Sequence, residues 1–395
     1  MIDLNLIEAL AFTAPIVCAS ACMFMMLMDA SARRRNPQEK KLRLFLALTY
    51  FVTSLGWLGI VFYTVSPHIF ACYYTVFLLT LMLDQVMIYR FVSIITGTGE
   101  RRKFNRLHLI IPLIFTILSV ISDITVPLEQ QKAVIFLKES NGDSDTWFRI
   151  LYTFTTLIFI VYNTLYPLLN LRNIRRYRRF IVNYSSDAYT ALLGWLAVIQ
   201  VLILITVPLP LAGLLAGVPG IAFSYVAWMG VLPYVVNYLI LCYNLLNDNY
   251  LIIQPEDTVA VEDTTENTTE NTTENMAEDA PAKPAMIIDR KQFERYLHEC
   301  KPYLDPNLRI TDLAAELDTN RSYLSGFINK EYGMNFCRLI NRLRLQELDR
   351  LLQLPVNAKK ANMDLVLMAG FSSYRSYLRA KTEEDKQSLL KVFEK

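Results

Sequence analysis

Seven apolar runs before Leu251 constrain this chain more than any other feature. They lie near Leu6–Met28, Leu44–Val65, Ile69–Ile95, Leu107–Leu128, Phe148–Leu169, Tyr189–Leu209 and Ile221–Leu246. A helix needs about 20 apolar residues to cross a bilayer, so each run is a candidate span. The mean hydropathy of +0.27 and the 53% hydrophobic content over 395 residues are too apolar for an ordinary soluble protein. The first run follows Asp3 and Glu8, where a secretory signal would carry basic residues.

The loops set an orientation. Arg33, Arg34, Arg35, Lys40, Lys41 and Arg43 follow the first run, Arg101, Arg102, Lys103 and Arg106 the third, and Arg172, Arg175, Arg176, Arg178 and Arg179 the fifth. The alternate connections hold few basic residues, Lys132 and Lys138 among them. The positive-inside rule then predicts an outer N-terminus and a cytoplasmic C-terminus. The expected setting is a multi-pass protein of the bacterial cytoplasmic membrane.

Within the runs Asp84 and Gln85 stand out, because an intramembrane carboxylate is costly unless it faces the bundle interior. They are the candidate intramembrane ligand site, with helix–helix hydrogen bonding as the plainer reading. Asn163 and Gln200 are candidates for hydrogen bonds between helices, and Arg90 is expected to reach toward the inner surface. Pro112, Pro167, Pro208, Pro210 and Pro233 lie in or beside runs, where kinks are tolerated. Ser66-Pro67-His68 reads as a tight hairpin. Glu129–Trp147 is the longest outer loop, with Asn141-Gly142-Asp143 as its turn. The six cysteines and three histidines form no metal-ligand spacing; Cys18 and Cys22 share a helix face, as packing residues do. No catalytic residue, metal or cofactor is expected.

Charge divides the chain into three parts. Residues 1–253 carry 19 basic and 13 acidic side chains, residues 254–285 one and nine, and residues 286–395 nineteen and fifteen. The acidic part repeats Thr-Thr-Glu-Asn three times from Thr264. It has too little apolar surface to bury and reads as a disordered linker. About 35 residues of flexible coil reach roughly 30–35 Å. The domain expectation is therefore a seven-span membrane domain over 1–250, a linker over 251–285 and a cytoplasmic helical domain over 286–395, all-α throughout.

The last part begins with a lead-in helix within Met286–Asp305, with Phe293, Tyr296, Leu297 and Cys300 at helical spacing. Two short amphipathic helices follow. Leu313, Ala314 and Leu317 give the first its apolar face, with Thr311 and Asp312 placed to begin it. After the turn Asp318-Thr319-Asn320, with Asn320 as cap, the second would bury Leu324, Phe327 and Ile328. It would present Arg321, Ser322, Ser325, Asn329 and Lys330 outward. A cation and short hydrogen-bonding side chains near a helix N-terminus are what a major groove is read with. A long helix from Phe336 to Leu352 would bury Phe336, Leu339, Ile340, Leu343 and Leu348. Its Arg338, Arg342 and Arg350 suit either phosphate contact or a solvated face. A second unit runs through Leu365–Ala380.

This order resembles the DNA-binding domain of AraC-type transcription regulators, which carry two helix-turn-helix units bridged by one long helix. The matching points are Leu313-Ala314, Tyr323-Leu324-Ser325, Gly333, Arg344-Leu345, Leu351-Leu352 and Gly370-Phe371-Ser372, over roughly the last quarter of the chain. There are departures: Gly326 stands in place of the usual arginine, Val366 in place of alanine, Lys381 in place of a core phenylalanine, and the closing Gly-x-Thr-Pro is absent. The resemblance implies base reading by Arg321, Ser322, Ser325 and Asn329, with Lys330 beside them. It implies phosphate contacts by Arg375, Arg379 and Lys381.

The expected function is a membrane-tethered transcription regulator. Its partners would be double-stranded DNA, the lipid bilayer, a small-molecule or protein signal, RNA polymerase and a second copy of the chain. Two tails joined in a membrane dimer would gain affinity through effective concentration, and cleavage of the linker is a second route to activation. The alternative is a membrane scaffold whose degraded helix-turn-helix tail binds protein. A transporter is disfavoured because no span carries a broken-helix repeat or paired carboxylates.

Overall fold

The computed structural model describes residues 4–33, 37–97, 104–137, 146–188, 192–207, 223–251, 288–357 and 359–393. Residues 252–285 of the predicted linker, the Asn141-Gly142-Asp143 turn, Pro208 and Pro210 lie outside them. The described residues are all-helical, an isolated bridge between Ser185 and Arg309 aside. They form two compact units, residues 1–174 with 193–252, and residues 175–192 with 253–395.

The first unit holds α1 (Leu4–Ala32), α2 (Pro37–Val65), α3 (Pro67–Thr96), α4 (Ile110–Thr125), the short α5 (Leu128–Lys132), most of α6 (Thr146–Ile181), α7 (Gly194–Thr206) and α8 (Phe223–Leu246). Among the described residues five helices are long and apolar enough to cross a membrane: Leu10–Ala32, Pro37–Val65, Pro67–Thr96, Arg106–Thr125 and Thr146–Ile181. The other two predicted spans correspond to shorter apolar stretches, Gly194–Thr206 and Gly230–Leu246. Helix α4 shows which solvent the unit is made for. Its buried residues are Pro112, Ser119 and Ser122, while Leu113, Ile117, Val120, Ile121 and Ile124 are exposed. A water-soluble helix is patterned the other way round. The Ser66-Pro67-His68 hairpin is observed as the N-cap of α3, with Ser66 accepting from the Ile69 amide.

Polar side chains join these helices. Tyr50 donates to the Tyr238 carbonyl at 3.0 Å, Trp57 Nε1 donates to the Tyr238 hydroxyl at 3.0 Å, and Asn170 Nδ2 donates to Gln200 Oε1 at 2.9 Å. Gln200 is thus the interhelical partner expected of it, whereas Asn163 bonds within its own helix, to the Phe159 carbonyl. Arg90 lies over the Phe104 ring. The described part of the long loop after α4 is folded: Val134 and Ile135 pack with Phe70, Tyr74, Phe77 and Phe148.

At one end of this unit the C-terminal ends of α1 and α8 meet the start of α2. Arg43, taken from the sequence as a loop cation, is fully buried there. It bonds Asp29, the Tyr250 hydroxyl at 2.7 Å, Asp248 at 2.7 Å and the Leu245 carbonyl at 3.2 Å. Arg33 pairs with the same Asp29 and Asp248 and with Glu39.

The second unit holds α9 (Arg290–Cys300), α10 (Ile310–Glu316), α11 (Arg321–Tyr332), α12 (Phe336–Gln353), α13 (Asn362–Met368) and α14 (Tyr374–Phe393). Helix α12 packs against α11, α13 and α14. Local chemistry sets the boundaries. Helix α10 starts two residues before the sequence suggested, with Arg309 rather than Thr311 at its N-cap and Asp312 accepting from the Arg309 amide at 2.8 Å. Asp318 turns the chain with φ +47°, a conformation that short polar side chains tolerate. Asn320 then caps α11 by accepting from the Tyr323 amide at 2.7 Å. Gly333, at φ +64°, ends it.

In α9 Phe293 and Leu297 are buried, but Cys300 faces solvent. In α11 Leu324 and Ile328 are core residues and Phe327 is half-buried, edge-on to Phe293. In α12 Leu343 is only half-buried, and Leu351 joins Leu348 in the core instead. The second core contains Leu348, Leu351, Leu365, Val366, Ala369, Phe371 and Ala380. Val366 is therefore a core residue, and the buried position next to exposed Lys381 is Ala380. Gly370 has φ +92°, and a Cβ there would stand 2.4 Å from the Tyr303 carbonyl oxygen, so no other residue fits the turn.

Candidate functional site

The candidate DNA-contacting residues lie on two helices, α11 and α14. Asn320 starts α11 so that Arg321, Ser322, Ser325, Asn329 and Lys330 follow on its first turns. Ser322, Asn329 and Lys330 are exposed, and Arg321 and Ser325 are half-buried. On α14 Arg375 and Lys381 are exposed and Arg379 is half-buried. Burial and the neighbouring Arg375 hold the Arg379 pKa below its ordinary value. The Lys381 ammonium stands 6.0 Å from the centre of the Tyr377 ring.

The arrangement around Arg321 was not anticipated. Its guanidinium lies 4.0 Å from the centre of the Phe180 ring and 5.7 Å from that of Tyr184. Those two rings are stacked on each other at 5.6 Å. Both belong to the segment 175–192, which in sequence joins the fifth and sixth apolar runs yet folds as part of the second unit. An arginine over an aromatic face is worth about 0.5–2 kcal/mol, depending on how dry the site is.

The same segment is woven into the domain by main-chain bonds. The Ile310 amide donates to Tyr184 O at 3.0 Å, the Cys337 amide to Val182 O at 3.0 Å and the Ser186 amide to Leu308 O at 3.1 Å. Asn341 Nδ2 donates to Ser186 O at 3.2 Å, and Arg344 Nη2 to Ser186 Oγ at 3.0 Å. Asp187 then accepts from the hydroxyls of Ser372 and, at 2.8 Å, Ser376, at the start of α14. One strap thus touches the beginnings of α10, α12 and α14 and covers Arg321 on α11. Phe180, Tyr184, Ser186 and Asp187 have no sequence signal of their own; Tyr184-Ser185-Ser186-Asp187 reads as an ordinary polar loop.

No family model, curated protein or solved structure matches this chain. The geometry therefore has to carry the functional argument.

In the α11 helix Gly326 is exposed, and a Cβ built on it meets nothing within 4 Å. We expect Gly326→Ala to stabilise the second unit by about 0.5–1 kcal/mol through helix propensity alone. Thermal melting of the two proteins would show it. A drop in melting temperature would mean that this face is already in contact with something.

In the first unit Asp84 is brought to a cavity. Thr53 Oγ1 donates to Asp84 Oδ1 at 2.6 Å, and Gln85 Nε2 stands 3.5 Å from the other oxygen. The cavity measures about 160 Å³. Asp84 lines it together with Thr53, Trp57, Tyr74, Phe77 and Tyr234. Gln85 is buried beside Asp84 but does not line the cavity. Among the described residues no cluster of side chains suits a metal ion.

Proposed function

We propose that this chain is a membrane-anchored, DNA-binding transcription regulator whose reading helix is held by the segment 175–192 until a signal reaches the membrane unit. The observation that carries the reading is the stacking of Arg321 on Phe180 and Tyr184. The residue best suited to contact a base edge is covered by a strap that leads directly into apolar helices on both sides. Helix α6 runs unbroken from Thr146 to Ile181, so a rotation of that helix would move Phe180. The strap thereby gives a mechanical route from the bilayer to the reading face. The charge network around Arg43 supports the topology: α1 and α8 leave their bundle at the same end, beside the basic loop that follows α1. By the positive-inside rule that end is cytoplasmic.

The test uses the full chain in lipid nanodiscs and electrophoretic shifts on a pool of DNA duplexes. The wild type should bind weakly, and Phe180→Ala with Asp187→Asn should bind roughly tenfold or more tightly, about 1.4 kcal/mol. Affinity of the released variant should fall steeply with salt, since each neutralised phosphate adds about −0.9 to the log–log slope. In that background Arg321→Ala should cost roughly 1–3 kcal/mol and relax preference at one base position. A shallow salt dependence with no sequence preference would replace this reading with the protein-binding scaffold.

A further inference from the structure

The cavity beside Asp84 has a chemistry that narrows what could fill it. Asp84 is the carboxylate in its lining, and its oxygens meet a threonine hydroxyl and a glutamine amide. Among the described residues no lysine, arginine or histidine forms an ion pair with it. A carboxylate taken out of water is costly unless a cation or a proton accompanies it. Much of the remaining lining is aromatic, with Trp57, Tyr74, Phe77 and Tyr234 among it. Aromatic faces attract organic cations, most strongly where water is excluded. A cavity of about 160 Å³ is close to the size that accommodates a single benzene ring.

A lining that combines one carboxylate and threonine hydroxyls with aromatic rings suits a molecule with one charged head and one apolar body. Tyr63 stacks on Phe136, which follows α5, with ring centres 4.8 Å apart. Tyr63 is itself part of the lining, so this ring pair ties the segment after α5 to the cavity wall.

We infer that the first unit binds a small hydrophobic organic ammonium, its cationic head on Asp84 and Thr53 and its body, about one ring in size, among Trp57, Tyr74 and Tyr234. The inference rests on the proposed function only for its consequence, that occupancy releases the strap; the binding itself is independent of DNA.

The experiment is calorimetric titration of the full chain in nanodiscs with 2-phenylethylammonium and with neutral 2-phenylethanol, which has the same shape. The ammonium is expected to bind saturably and at least tenfold more tightly than the alcohol. Asp84→Asn should abolish that preference while the protein keeps its helical circular dichroism. Gly230 also lines the cavity, and a Cβ there meets Trp57 and Tyr234 only at ordinary contact distance. Gly230→Val should therefore fold and weaken the ammonium at least tenfold by filling space. Equal affinity for the two probes, a preference that survives Asp84→Asn, or no binding of the ammonium at millimolar concentration would each overturn the assignment. The same samples tested on DNA keep the two readings apart. Charge-selective binding with no change in DNA affinity would leave this site standing and remove the regulator reading. Tighter DNA binding by the strap variants without ammonium binding would do the reverse.

Discussion

Arg344→Ala is expected to destabilise the second unit by about 3–5 kcal/mol, the largest single-residue effect outside the bilayer. Arg344 is fully buried on α12. Its Nε donates to Tyr303 O at 2.7 Å and its Nη2 to Asp305 O at 2.7 Å and Ser186 Oγ at 3.0 Å; Nη1 reaches Asn341 Oδ1 at 3.3 Å. The guanidinium also lies over Phe371. It thereby joins the turn before α10, the strap 175–192 and the core of the second helix pair. Burial lowers its pKa to about 10, so it remains charged at neutral pH. Alanine would leave the buried Tyr303 carbonyl without its donor, at roughly 1–3 kcal/mol, remove the donors to Ser186 Oγ and Asp305 O, and open a cavity besides. Hydrogen exchange of the α12 amides in nanodisc-held protein should accelerate by roughly 10²- to 10³-fold. Arg344→Lys should recover only a minor part, because an ammonium cannot reproduce the planar fork. Unchanged exchange in the alanine variant would show that the domain does not depend on this residue.

The second large effect is expected at Arg43. Its guanidinium is buried between Asp29 and Asp248 and also bonds Tyr250 and the end of α8. Removing one partner of a fully buried ionic set typically costs about 3–5 kcal/mol; the partial exposure of Asp29, Glu39 and Asp248 brings the expected cost below that range. In Arg43→Met the carboxylates of Asp29 and Asp248 would lose one of their two arginine partners and keep Arg33. Thermal unfolding in nanodiscs should show a clear loss of stability. Adding Asp248→Asn should return part of it, so that the two changes are less than additive. Strict additivity would mean that the residues do not act as a set.

These two arginines show how much was legible beforehand. Arg344 belongs to a recognisable Arg-Leu pair, yet sequence gives no sign that it faces inward on a helix whose other arginines are half-buried (Arg338) or exposed (Arg342 and Arg350). Arg43 appears in a cluster of six basic residues that reads as a topogenic loop; only the acids at positions 29 and 248, remote in sequence, make it a core residue. The helix pairs of the second unit were far more readable. Asn320 and Gly333 mark the ends of α11, and the apolar spacing of Leu324 and Ile328 marks its inner face. The boundary errors, Arg309 in place of Thr311 as cap and Cys300 outside the core, are shifts of a residue or two within correctly placed helices.

By itself the sequence determined the elements: long apolar helices of bilayer length, short capped helices after residue 289, and a polar, acidic break in composition between them. Each rests on a local period or a cap that neighbouring residues specify. Only the tertiary structure decided that residues 175–192 belong with the C-terminal helices, that Arg321 is stacked under their rings, and that Asp84 opens on a cavity. The strap is held chiefly through carbonyl and amide groups, at Val182, Tyr184 and Ser186, which every residue possesses and no side-chain pattern announces.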